Sequence, residues 1–268
     1  MPMKMDTGQV VDYAARTDVG KVREHNEDCY CVNPVLGLYV VADGMGGHAS
    51  GEVASKIAVT TIEQQVAQGC GLVEAIGTAH AAIIKGVKQG LGKHGMGTTV
   101  VAVQLEGGSY TLAWVGDSRA YLWDGELSQL SKDHSMVQML IDSGRITRDE
   151  ARTHPRKNVI YQNLGAAEVE GHQVSVERGV LYKGQNIILC SDGMSDEVDD
   201  AQIAEIISQA DNVEEAAENL VTAAIDNGGN DNVTVIVISA PADALEKPER
   251  EGVEIEVDKP ESISDEDV

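Results

Sequence analysis

The stretch Tyr39-Val40-Val41-Ala42-Asp43-Gly44 is an apolar run that meets an aspartate and a glycine with no polar transition. The same design returns at Ala113-Trp114-Val115-Gly116-Asp117-Ser118 and at Ile187-Ile188-Leu189-Cys190-Ser191-Asp192-Gly193. In mirror form, Gly228-Gly229-Asn230-Asp231-Asn232 leads into the apolar run Val233–Ile238. Short runs rich in Val and Ile bounded by turn residues read as strands, so four aspartates mark strand ends. Taken singly, each Asp-Gly pair is a hairpin turn signal. Taken together, carboxylates gathered at sheet ends would repel one another strongly unless a hard cation lay between them, and oxygen ligands favour magnesium or manganese.

Working outward, further strands are predicted at Val10–Ala14, Thr99–Leu105, Tyr110–Val115 and Ala120–Trp123, with turns at Glu106-Gly107-Gly108 and Asp124-Gly125. Apolar residues at three- and four-residue steps predict helices over Ser50–Ala67, Val73–Leu91, Met136–Ser143, Ala201–Ala210 and Val213–Asn227. Consecutive hairpins interleaved with helices point to an α+β fold of antiparallel sheets layered with helices, and away from a doubly wound parallel sheet.

At 268 residues with 42% hydrophobic and 24% charged side chains, the composition is that of a folded chain. Phe is absent, so the core volume is expected from Val, Ile, Leu, Ala and Met. The formal net charge is −24, from 44 acidic and 20 basic residues. Such a field disfavours bare nucleic acid and anionic membrane surfaces as partners. Residues 243–268 hold 11 acidic and 3 basic side chains with no apolar periodicity and read as a disordered acidic tail after a single domain over 1–242. No apolar stretch approaches the length of a membrane span and the start lacks a secretion signal, so the expectation is a cytoplasmic chain. Nothing in the sequence demands an oligomer, and a monomer is expected. Cys29, Cys31, Cys70 and Cys190 form no C-x-x-C pair, sit in apolar settings and read as buried reduced thiols.

Near the front, Arg23-Glu24-His25-Asn26-Glu27-Asp28 places a guanidinium close to two more carboxylates. A surface ion pair explains it by itself; within an acidic site, a planar fork able to grip phosphate in two places is what phosphate chemistry needs.

These residues resemble a known family. Arg23-x-x-Asn26-Glu27-Asp28, Asp43-Gly44-Met45-Gly46-Gly47-His48, Met96-Gly97-Thr98-Thr99, Gly116-Asp117-Ser118-Arg119, Ser191-Asp192-Gly193 and Gly229-x-Asp231-Asn232 are similar, in order and over about residues 8–239, to the motifs of metal-dependent type 2C serine/threonine protein phosphatases in their compact bacterial form. The resemblance implies two packed antiparallel β-sheets flanked by helix pairs. It implies two Mn2+ or Mg2+ ions, with Asp43 bridging them and the Gly44 carbonyl, Asp192 and Asp231 completing the protein ligands. Glu27 and Asp28 would act through coordinated water, and Asp117 with Asp192 would hold a weaker third ion. A water activated by the ion pair would attack phosphorus directly, Arg23 would hold the phosphoryl oxygens, and His48 would protonate the departing serine or threonine oxygen. The implied partners are phosphorylated proteins and a cognate serine/threonine kinase. Met96–Thr99 is assigned to packing of the central strands. Met136–Gly165, with Arg145, Arg148, Arg152, His154 and Arg156, matches the family's flap; its basicity reads equally as attraction for an acidic phosphopeptide or as ordinary solubilising charge.

The rival motifs fail on spacing. Gly44–Ala49 fits the dinucleotide fingerprint G-x-G-x-x-A, but Asp43 would face the pyrophosphate, and the acidic residue some 20 positions on, Glu63, falls inside a helix. No cysteine has an arginine at the spacing of a thiol-based phosphate loop, which argues against a covalent cysteine mechanism. A phosphoprotein-binding domain without turnover is the non-enzyme alternative; the intact Asp43, Asp192 and Asp231 argue against it.

Overall fold

The computed structural model describes residues 11–46, 50–166 and 173–248. The first half contains β1 (Tyr13–Asp18), β2 (Cys29–Asn33), β3 (Leu38–Ala42), β4 (Gly44–Met45), α1 (Ser50–Ala67), α2 (Leu72–Lys88), β5 (Gly97–Thr98), β6 (Val100–Glu106) and β7 (Ser109–Val115). There follow β8 (Arg119–Trp123), β9 (Leu127–Gln129), α3 (Met136–Asp142), α4 (Arg148–Arg152), β10 (Ser175–Val180), β11 (Asn186–Cys190), α5 (Asp192–Ser195), α6 (Asp200–Gln209), α7 (Val213–Asn227) and β12 (Val233–Ser239).

Two five-stranded sheets, ordered β1-β12-β11-β8-β9 and β10-β7-β6-β3-β2, form the body, and β4 and β5 make a separate two-stranded ladder. Every pairing is antiparallel. The unbroken apolar runs have a direct cause: the central strands are buried on both faces, and alternate side chains enter different cores. Along β3, Leu38, Val40 and Ala42 join a core with α1 and α2, whereas Tyr39 and Val41 join the core between the sheets. On the other side Ile188, Cys190, Val235 and Val237 pack with α6 and α7, while Ile187, Leu189, Ile236 and Ile238 face inward. The layers are therefore helix, sheet, sheet, helix, as expected from the resemblance.

Tyrosine supplies part of the core volume assigned above to aliphatic residues alone. Tyr39 and Tyr121 are the two largest fully buried side chains. The Tyr121 hydroxyl accepts from Arg119 Nη1 at 3.3 Å, whereas the buried Tyr39 hydroxyl has no partner among the described residues.

Other expectations shift at the edges. β1 lies downstream of the predicted Val10–Ala14 because its register is set by β12, from Tyr13 opposite Ile238 to Asp18 opposite Val233; Val10 lies outside the described residues. The helix predicted over Val73–Leu91 stops at Lys88, and Gly90 behind it has φ 76°. β2, β9 and β10 are three further strands, all at sheet edges: β9 and β10 have no fully buried residue to give an apolar signature, whereas the apolar Cys29-Tyr30-Cys31-Val32 of β2 is a run that the prediction above does not include. The tight turn at Gly107-Gly108 is borne out, both residues taking positive φ between paired Glu106 and Ser109. The four cysteines are free thiols, but only Cys31 and Cys190 are buried as expected; Cys29 and Cys70 are partly exposed. Residues 243–248 run back along the domain, where Leu245 O accepts from Lys183 N, Lys183 Nζ meets Glu246 and Lys247 Nζ meets Asp124; the rest of the predicted tail lies outside the described residues.

The topology gathers one end of both sheets. Val41 at the end of β3 pairs with Val101 near the start of β6, and Val100 pairs with Val115 at the end of β7. In the other sheet Cys190 at the end of β11 sits between Arg119, the first residue of β8, and Val235 near the start of β12. Since Gly116-Asp117-Ser118 joins β7 to β8 directly, these two sheet ends coincide, and all four marked aspartates lie there.

Candidate active site

Asp43 leaves β3 through a peptide that is held on both sides. Its N–H donates to Thr99 Oγ1 at 3.2 Å, and its carbonyl accepts from Thr98 Oγ1 at 2.7 Å and from Thr99 N at 2.9 Å. Gly44 follows with its N–H on the Glu27 carbonyl at 3.2 Å. A side chain at Gly44 would collide with the backbones of Gly51 and Glu27, so only glycine lets the three segments meet. Its carbonyl oxygen lies over Gly51, within 2.7 Å of where a Cβ there would stand.

Glu27 reaches the same place from the β1–β2 connection. Its Oε1 accepts from Gly51 N at 3.2 Å in the first turn of α1, where the partial positive charge of a helix start favours a carboxylate. Ser55 Oγ on the next turn donates to the Glu27 carbonyl at 2.6 Å. Asp28 is held by two hydroxyls on one oxygen, Oδ2, which accepts from Ser191 Oγ at 2.8 Å and Thr234 Oγ1 at 2.7 Å. Its other oxygen, Oδ1, is buried without a partner among the described residues, as is Oδ1 of Asp192.

These carboxylates feel one another. Burial first, then the charges of Asp192, Asp28 and Asp117, hold Asp43 well above the ordinary carboxylate range. Burial and then Asp192 and Asp133 do the same to Asp117. Asp28 is pushed up to about 7, by burial against the lowering effect of its two hydroxyl partners. Asp192 is pushed up to about 6, by burial and then by Asp196 and Asp231. Arg23 sits at the rim, half exposed, donating from Nη2 to Asp231 Oδ2 at 2.7 Å, with Glu27 and Asp192 also close enough to raise its pKa.

The structure thus brings Arg23, Glu27, Asp28, Asp43, Gly44, Asp117, Asp192 and Asp231 to one end of the sandwich. His48 lies outside the described residues. Among the described residues no three acidic, His or Cys side chains already surround one point in ligating geometry: Asp43 and Asp192 share a hydrogen bond, and Arg23 covers Asp231. The donor set nonetheless fits a hard divalent cation. It consists of oxygens alone, and two of them are buried with no partner among the described residues, a costly arrangement that a cation relieves.

The family model for protein phosphatase 2C matches residues 24–225. The chain belongs to the protein phosphatase 2C family. It is 42% identical over 235 residues to the serine/threonine protein phosphatase PstP of Mycobacterium tuberculosis, which takes in 85% of this chain and 45% of that protein. The chain therefore spans less than half the length of that relative. It is 36% identical over 242 residues to the serine/threonine phosphatase stp of Listeria innocua, covering 83% of this chain and 93% of that one. Its fold matches the crystal structure of the PstP catalytic domain in complex with two manganese ions, with a TM-score of 0.76 at 39% identity over 85% of this chain and 97% of that one.

In this 2C-family chain the acidic groups are held by polar side chains to which the sequence motifs give no role in the site. Thr98 and Thr99, assigned to packing, fasten the Asp43 peptide. Thr234 stands fully buried in a strand that is apolar from Val233 to Ile238 apart from it, and that hydroxyl among Val233, Val235 and Ile236 was the available signal. Asn232 is the busiest: Oδ1 accepts from Glu27 N at 2.7 Å, and Nδ2 donates to the carbonyls of Val19 and His25, both at 2.9 Å. It ties the whole β1–β2 connection to the start of β12. Asn232→Ala is expected to cost about 3 kcal/mol, because buried groups lose their partners. For a chain of this size that is a fall in Tm of roughly 6–12 °C, measurable by calorimetry.

The segment Met136–Gly165, matched above to the family's flap, carries two short helices. Ser135 caps α3 by accepting from Gln138 N, and Thr147 and Glu150 form a reciprocal capping box on α4. A cavity of about 370 Å³ separates these helices from α5 and α6 and opens onto Asp117 and Asp192. Arg148, Arg152 and Lys157 line it, but Lys157 is paired with Asp196 at 2.7 Å and the lining holds more aspartates than cations. The basic side chains that line the cavity are therefore outnumbered there by carboxylates.

Proposed function

We propose that this protein hydrolyses phosphoserine and phosphothreonine in proteins, by direct attack of a water activated at a dinuclear Mn2+ or Mg2+ centre, in opposition to a serine/threonine kinase. The observation that carries this reading is the set of mutually repelling, recessed carboxylates of Asp28, Asp43, Asp117 and Asp192, two with a buried oxygen that has no partner among the described residues.

Asp43, Asp192, Asp231 and the Gly44 carbonyl would hold the ions, with Glu27 and Asp28 orienting coordinated water and Asp117 reaching a weaker third ion. When bound, the ions supply Lewis acidity and a water nucleophilic at neutral pH. The chain's own groups do the rest. Arg23, half exposed at the rim, would grip two phosphoryl oxygens and offset their charge. Thr98 and Thr99 keep Asp43 from turning, and Ser191 and Thr234 present Asp28 by one fixed oxygen. His48 would donate the proton to the departing alkoxide.

Purified protein is expected to release phosphate from a phosphothreonine peptide and from para-nitrophenyl phosphate when Mn2+ or Mg2+ is added, and to stop in chelator. Metal-stimulated turnover that is absent on both substrates, with phosphopeptide still bound, would replace the enzyme reading with that of a binding domain.

A further inference from the structure

We propose that His134 is a positioning residue for Asp117, holding the turn that aims its carboxylate at the acidic cluster. The proposal rests on the reading of Asp117 as a cation ligand.

Asp117 sits in the three-residue link Gly116-Asp117-Ser118 between β7 and β8, beyond the reach of either sheet's ladder. Gly116 has φ +111°, and a Cβ there would collide with Thr99. Something else must hold this turn, and His134 does so with two bonds to one residue. The Gly116 N–H donates to His134 Nδ1 at 3.1 Å, and the Gly116 carbonyl accepts from His134 N at 2.8 Å. A backbone N–H can only donate, so Nδ1 is the bare nitrogen and the ring proton sits on Nε2. Nε2 lies 3.0 Å from Ser175 Oγ, which fixes the far side of the ring.

On the other side of Asp117 the preceding residue, Asp133, grips Arg119 through Nε and Nη2, the shortest contact being 2.7 Å. The dipeptide Asp133-His134 thus clamps the residues flanking Asp117 at positions 116 and 119. The ring is packed at 6.3 Å from Trp114 and 5.8 Å from Tyr161 of the flap, whose N–H donates to the His134 carbonyl at 2.9 Å. Burial lowers the His134 pKa against the raising effect of Asp133, the same direction that the accepting Nδ1 calls for. Ser118 carries the same turn onward: its Oγ meets Thr99 Oγ1 at 2.7 Å, the hydroxyl that holds the Asp43 peptide.

A core histidine with only a packing role would give the same burial, so the test must read cation binding. Mn2+ is titrated by calorimetry into the full chain and into Asp117→Asn, His134→Gln and His134→Asn. Asparagine can place an oxygen near the position of Nδ1; glutamine replaces Nε2 and leaves the Gly116 N–H without an acceptor. Asp117→Asn is expected to remove the weakest Mn2+ step. His134→Gln is expected to weaken that same step about 10-fold, the usual cost of losing an outer partner of a metal ligand, with the tighter steps unmoved. His134→Asn is expected to restore most of it. If Asp117→Asn removes the step and His134→Gln leaves it intact, or weakens every step alike, the positioning role is overturned and the ligand reading stands. If Asp117→Asn changes no step, the ligand reading falls and takes the positioning role with it. Should His134→Gln not fold, Ser175→Ala frees only the far nitrogen; a smaller weakening of the same step supports the proposal, and no change overturns it.

Discussion

Asp43→Asn lowers metal-stimulated hydrolysis of a phosphothreonine peptide by more than about 10²-fold, which is the upper end of what losing a mere outer-shell partner costs. Asp192→Asn does the same. The side chain keeps its size and one oxygen but loses the charge that would hold a cation. The metal-free stability should move the other way. Asp43 is recessed among Asp192, Asp28 and Asp117, and their mutual repulsion with burial already forces it far above its ordinary pKa. Replacing a crowded carboxylate with a neutral amide removes that strain, so the Tm in chelator is expected to rise or hold while activity collapses, as when a site trades stability for function. Steady-state kinetics beside scanning fluorimetry on the same preparations checks both halves. A variant with full rate would show that Asp43 is no ligand; a variant with lost rate and a lower Tm would show that its role is architectural.

The second large effect is on stability against pH and metal. Asp28 at about 7 and Asp192 at about 6 are both raised above 3.8, chiefly by burial. In the unfolded chain these groups give up their protons near pH 4, while the folded, metal-free protein keeps them up to their raised values. Across that window the native state binds more protons than the unfolded state, so stability must fall as pH rises. The Tm in chelator is therefore expected to drop from about pH 4 to about pH 7, and the formal charge of −24 pulls in the same direction. Divalent cations compete with those protons. Mn2+ at about 100 times its Kd adds about 2.7 kcal/mol per site, roughly 5–10 °C here, and the gain should be larger at the upper end of the window than at the lower. Melting curves with chelator and with Mn2+ at both ends decide it. A metal-free Tm that climbs through the window, or a Mn2+ shift indifferent to pH, would show that these carboxyls do not carry the expected protons.

The charge pattern and the strand-end aspartates were legible from the chain itself, because a strand buried on both faces must be apolar throughout and any carboxylate at its end stands out. That is why Leu38–Ala42, Asn186–Cys190 and Val233–Ser239 were found almost to the residue. Edge strands such as Ser175–Val180 were missed because half their side chains face water and carry no apolar period. Six ordered motifs sufficed to indicate the family, and with it a metal-dependent chemistry.

What the residues hold one another with was decided only in three dimensions. Asn232, Thr234, Ser191, Thr98 and His134 are ordinary polar side chains in sequence, and their importance lies in partners many positions away: Thr234 with Asp28, Asn232 with Glu27, His134 with Gly116. A hydrogen bond reports on distance and direction, and neither is encoded in local composition or period. Aspartate at a strand end is written in the chain; which oxygen of it is gripped, and which is left facing a neighbouring carboxylate, follows from how two sheets meet at one end.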